Sequence, residues 1–150
     1  MITTEQIKKL RELTEVSVMA CKKALEQAGG DIEKAILILR KQGAEIAKKK
    51  SEREVKAGVI ESYVHNNNQV GVLVEIRSET DFVARNEEFR TFAHNIAMHI
   101  AASNPADIEE LLGQAYIKEP EITISDYLKQ MIQKFGENIK INRFFRCSLK

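Results

Sequence analysis

At 150 residues the chain has room for one ordinary domain, or for a small module beside a larger one. Its 43% apolar and 30% charged side chains exclude a disordered polar tract, and no run approaches the ~20 apolar residues of a membrane span. Twenty-three basic residues against 22 acidic leave a net charge of +1, without the basic excess by which duplex nucleic-acid binders neutralise phosphates.

Residues 1–20 carry Lys8, Lys9 and Arg11 among several acids and no apolar run of the signal-peptide kind. With only two distant cysteines, Cys21 and Cys147, neither a disulfide scaffold nor a CxxC metal site is expected. A soluble protein of a reducing compartment, the cytoplasm, is the expectation.

The first forty residues predict three short helices. Thr3 and Gln6 have the spacing of a capping box ahead of Ile7, Leu10 and Leu13. Ser17 caps a second helix whose apolar face is Cys21, Ala24, Leu25 and Ala28, and Gly29-Gly30 end it. Asp31 caps a third, with Ile32, Ala35, Ile36 and Leu39 on one face. Leu37 and Ile38 are expected to complete this core, whereas Val18 and Met19, at a turn, fit a core or an outer surface equally. The predicted module covers 1–42. The segment 43–54, with AEIAKKKSERE at 44–54, reads as a charged, helix-compatible linker. Its run Lys48 to Arg53 is the one feature that would serve an RNA-binding reading.

From Val55 the period changes to two. Val55–Val64 predicts a strand, Asn66-Asn67-Asn68 a turn, and Val70, Val72, Val74 and Ile76 line one face of a second strand. Asn86 caps a helix carrying Phe89, Phe92, Ala93, Ile96, Ala97 and Ile100. Residues 107–113 predict a short helix, and Thr123 opens another that stops at Gly136. The alternation of Ile139, Ile141, Phe145 and Cys147, with Phe144 pointing the other way, predicts a third strand over 139–149. Residues 55–150 thus form an α+β core with a three-stranded antiparallel sheet. Two helices can cover one sheet face and little remains for the other, so a homodimer packing sheet against sheet is expected.

No catalytic constellation emerges. His94 and His99 are five residues apart, not the four that place an HExxH pair on one helix face, and no Cys or carboxylate spacing completes a metal site. No P-loop, GxGxxG or GxSxG occurs. No catalytic residue, cofactor or metal is expected; the protein should work by binding. The unusual stretch is SETDFVARNEEF at 78–89, where Phe82 follows Asp81 in a charged connection. Phe82 either plugs the sheet–helix junction or protrudes as an aromatic anchor.

The run TDFVARNEEF (80–89) closely resembles the signature of the bacterial translation elongation factor Ts family. CKKALEQAGGDIEKAI (21–36) resembles that family's N-terminal three-helix module, itself similar to ubiquitin-associated (UBA) domains, and GENIKINRF (136–144) its C-terminal strand. The resemblance spans nearly the whole chain in the expected order. It departs at 15–18, Glu-Val-Ser-Val where many members have a Gly-rich turn, and at 105–120, which replaces a longer helical segment.

The resemblance implies a guanine-nucleotide exchange factor that meets elongation factor Tu in its GDP and nucleotide-free forms. It implies that Thr80, Asp81, Phe82 and Val83 disturb the partner's magnesium site, with Phe82 intruding and Asp81 either orienting the turn or repelling the magnesium–phosphate network. It implies that Val18, Met19, Lys22 and Lys23 contact the partner's nucleotide-binding domain. The alternative is a UBA-like adaptor using residues 1–42 to bind a peptide or ubiquitin-like protein. Neither membrane nor direct nucleic-acid contact is implied.

Overall fold

The computed structural model describes residues 1–149. Its apolar side chains gather into two separate clusters, and one long helix runs from the first to the second.

The first cluster is built by α1 (Thr4–Thr14), α2 (Val18–Gln27) and α3 (Ile32–Lys50). Each begins where a side-chain oxygen satisfies an orphan backbone donor. Thr3 and Gln6 close a reciprocal capping box, Ser17 accepts from the Ala20 amide, and Asp31 accepts from Lys34. Leu10, Cys21, Ala24, Leu25, Ala35 and Leu39 are buried together, and Ile38 packs on them. Leu37, expected inside, stands 62% exposed because its position lies on the far side of α3 from Ala35 and Leu39.

Where a linker is expected from residue 43, α3 continues to Lys50. Gly43 is buried against Gln133, so close that an added Cβ would sit 2.7 Å from its Oε1. One turn on, Ala47 enters the second cluster. Small residues at this i, i+4 spacing let α3 lie against the last helix of the core. The end of the segment is tied down as well, since the Lys50 ammonium donates to the Gly136 carbonyl and Asn138 Nδ2 donates to the Arg53 carbonyl at 2.8 Å.

The second cluster lies on a three-stranded antiparallel sheet of β1 (Ala57–Val64), β2 (Val70–Ser78) and β5 (Ile139–Ser148), in the order β1-β2-β5. Asn68 takes the left-handed conformation in the β1–β2 turn, as Asn does at small cost. Val72, Val74, Ile76, Ile139 and Ile141 face inward, against α5 (Glu87–Ser103) and α7 (Ile124–Phe135). Phe92 meets Tyr127 edge-on at 4.7 Å, and Tyr127 stacks on Tyr116 at 4.7 Å. α6 (Ile108–Gly113) and a small hairpin, β3 (Ala115–Tyr116) with β4 (Glu119–Thr123), complete the layer. His99 fastens this hairpin. Its Nδ1 accepts the Ile117 amide at 3.3 Å, so the proton sits on Nε2 and is donated to Gln114 Oε1 at 2.9 Å.

The phase expected for the last strand holds only for its first half. Ile141 pairs with Ile76 but Arg143 pairs with Glu75, leaving Asn142 as an extra residue. This β-bulge reverses the alternation beyond it. Phe144 therefore packs on the core, while Phe145 and Cys147 turn to the outer face, opposite to Ile139 and Ile141.

Candidate functional site

The connection after β2 is a turn with a four-residue helix, α4 (Asp81–Ala84). Thr80 caps it, its hydroxyl accepting from the Val83 amide at 3.4 Å. Helical phase then divides the side chains. Val83 and Ala84 point into the core, whereas Asp81 and Phe82 point to solvent. Phe82 is 90% exposed, so it does not plug the junction. Of the four expected site residues, Thr80, Asp81 and Phe82 form the exposed group and Val83 is its anchor.

An aromatic ring in water gains nothing from its own fold, so its position depends on the backbone beneath it. That backbone is held by bonds from a distant segment. Glu137 Oε1 accepts from the Glu79 and Thr80 amides at 3.1 and 3.0 Å, and Oε2 accepts from the Thr80 hydroxyl at 2.6 Å. In return the Glu79 carboxylate accepts the Asn138 amide at 2.6 Å and faces Arg53 at 3.5 Å. The Ser78 hydroxyl donates to the Thr80 carbonyl at 3.0 Å. Residues 80–83 stand out in the sequence, whereas Glu137 and Asn138 do not. Their signal was their place in the GENIKINRF run.

The second expected group lies on the first turns of α2. Val18, Met19, Lys22 and Lys23 are all exposed, on the side away from buried Cys21, Ala24 and Leu25. They make one strip with two apolar and two cationic side chains.

An ionic joint ties the first helices to the core. Lys134 of α7 pairs with Glu15, just past α1, at 2.7 Å and also with Glu88 of α5. Burial favours loss of its proton, but the hydrogen bonds to Glu15 and Glu88 outweigh that and hold the ammonium charged above the ordinary lysine range.

Among the described residues, no three His, Cys, Asp or Glu gather as a metal site, and no buried side-chain polar atom lacks a hydrogen-bond partner. No described helix is long and apolar enough to cross a membrane. What the arrangement offers is surface: an aromatic side chain on a braced turn and an amphipathic strip on α2.

Residues 79–150 match the family model described as Elongation factor TS. The chain is 42% identical to the elongation factor Ts of Thermodesulfovibrio yellowstonii, with 97% of this chain and 94% of that protein covered. It is 41% identical to that of Carboxydothermus hydrogenoformans, covering 99% and 89%, and 40% identical to that of Acetivibrio thermocellus, covering 97% and 89%. The first of these alignments runs over 189 positions against a chain of 150 residues, so at least 39 positions are filled by the relative alone.

Proposed function

The chain belongs to the elongation factor Ts family, and from that premise we propose that it is a guanine-nucleotide exchange factor that releases GDP from elongation factor Tu by binding alone. The observation that carries the mechanism is Phe82, 90% exposed on a turn braced by Glu137 and Asn138. A G protein holds GDP through its phosphate loop and a magnesium ion. A factor that binds the nucleotide-free state more tightly than the GDP state must weaken GDP by the same coupling free energy. Thr80, Asp81 and Phe82 enter beside the magnesium site, and Val83 supports them from below. The ring gains its burial only there, so its contribution favours the state with the site opened. Asp81 adds a negative charge beside the phosphates and the ion.

Residues 1–42 serve as the UBA-like module that docks on the nucleotide-binding domain through Val18, Met19, Lys22 and Lys23. Residues 43–54 connect it to the core at 55–150. The setting is the cytoplasm, where translation elongation takes place. An adaptor using residues 1–42 alone would leave the braced, water-exposed Phe82 without a use. At catalytic amounts the protein should accelerate release of labelled GDP from elongation factor Tu, and a rate equal to spontaneous release with a cognate partner would overturn the assignment.

The outer face of the sheet supports the second part of the proposal, a homodimer. Ile60, Val64, Leu73 and Phe145 are all exposed on it, and in the register Leu73 lies opposite Phe145. At one end Arg77 and then Arg143 and Asn142 hydrogen-bond Glu75 and, against partial desolvation, keep its carboxyl below the usual range. An apolar centre with a charged rim suits the packing of a second copy sheet on sheet. Sedimentation equilibrium at micromolar concentration should show a dimer, and Leu73→Glu should give a monomer of unchanged helix content. A wild-type monomer with no concentration dependence would remove the dimer and leave the exchange assignment standing.

A further inference from the structure

A four-residue helix has no stability of its own, because nucleating a turn fixes several dihedrals for very few hydrogen bonds. The direction of Phe82 is therefore decided by what grips α4 and its cap. Val83 and Ala84 grip it from the core side. On the other side the grip is the Glu137 carboxylate, which takes three hydrogen bonds from two consecutive residues of the turn.

The third of these is decisive. The Thr80 hydroxyl has a single proton. At 2.6 Å from Glu137 Oε2 that proton is committed to the carboxylate, so the oxygen's lone pairs are left to accept the Val83 amide and cap α4. The same carboxylate fixes the Glu79 and Thr80 amides through its other oxygen. The residue behind it, Asn138, is 2% exposed and bonded to the Glu79 carboxylate and the Arg53 carbonyl, so Glu137 works from a fixed base. Glu137 itself is half-buried.

We propose that Glu137 is a positioning residue of the exchange site, holding the Thr80 cap and so the Phe82 ring at the angle at which the partner meets it. This rests on the exchange reading above. Glu137 acts through Phe82 and not by touching the nucleotide site itself. Its loss should therefore matter only while the ring is present.

The test is a double-mutant cycle in the full-length chain, read as stimulated GDP release from elongation factor Tu. E137A should lower the maximal rate about tenfold, the scale set by one charge-assisted hydrogen bond, with half-saturation changed less than about twofold. E137Q keeps an acceptor for the two amides but sets an N–H group where the Thr80 hydroxyl needs an acceptor, so its rate should fall between those of E137A and wild type, about threefold below wild type. The E137A/F82A double variant should be no slower than F82A alone. Amide hydrogen exchange on the factor by itself supplies a readout independent of the partner: in E137A the Glu79, Thr80 and Val83 amides should exchange faster while those of β2 stay protected. Should E137A fail to fold, the same cycle is run with E137Q and E137Q/F82A. Wild-type acceleration with an undiminished E137A, or losses that multiply in the double variant, would overturn this role alone. A wild-type chain that leaves GDP release unchanged would remove the exchange reading and this role with it.

Discussion

Phe82→Ala is expected to cut stimulated GDP release by about one to two decades, the equivalent of ~1.5–3 kcal/mol of ring burial made only with the partner. It should leave stability within about 0.5 kcal/mol, as exposed substitutions do, because the ring touches water in the free protein. Each half of this expectation is measurable separately, the first by release of labelled GDP and the second by a circular dichroism melt. An unfolded Phe82→Ala protein would mean that the ring belongs to the core after all. A folded one with full activity would mean that the exchange step is carried elsewhere on the interface.

The same substitution ten residues later should behave in the opposite way. Phe92 is fully buried on α5, edge-on to Tyr127 and tilted against Phe89. Phe92→Ala leaves a cavity that the surrounding aromatics cannot close, at a cost of about 3–5 kcal/mol. For a chain of this size that lowers the melting temperature by about 10 °C or more. At temperatures where the variant is still folded, exchange should persist, since the ring lies far inside the surface that Phe82 presents. A melt unchanged from wild type would show that the aromatic cluster is not what holds α5 and α7 together.

These two phenylalanines also mark what can be read from a sequence. Phe92 belongs to a stripe at helical spacing, and its burial follows from the period. Phe82 stands in a segment too short to have a period, and its direction depends on a helix of four residues. Five helix caps were legible, since Thr3, Ser17, Asp31, Asn86 and Thr123 all start helices, and Gly136 ends one, whereas Thr80 and Asp107, which cap the short α4 and α6, were not. Each is a bond between near neighbours. The β3–β4 hairpin, of two and five residues with Pro120 inside it, carries too little alternation to announce itself.

The inversion at Phe145 is of another kind. The alternation was visible, but the bulge at Asn142 is set by pairing with β2, 67 residues away. The use of Gly43 is non-local in the same way, because the space left by its missing side chain is the space that Gln133 occupies. The bracing of the turn by Glu137 joins residues 57 apart, and no local pattern encodes it.

The continuity of α3 bears on how this protein tolerates insertions and deletions. A flexible tether forgives an added residue, whereas a helix counts it. α3 is 19 residues long, roughly 28 Å at the ordinary rise. Its N-terminal half sits in the first cluster and its C-terminal half lies on α7. One residue inserted between Leu39 and Gly43 would swing the α2 strip by about 100° around the helix axis relative to Phe82, while shifting it only ~1.5 Å along that axis. The two surfaces proposed to meet one partner would then face different directions. Length changes here should be rare among functional variants and, where they occur, should come in multiples close to whole helical turns, a spacing rule that a freely jointed connection would not impose.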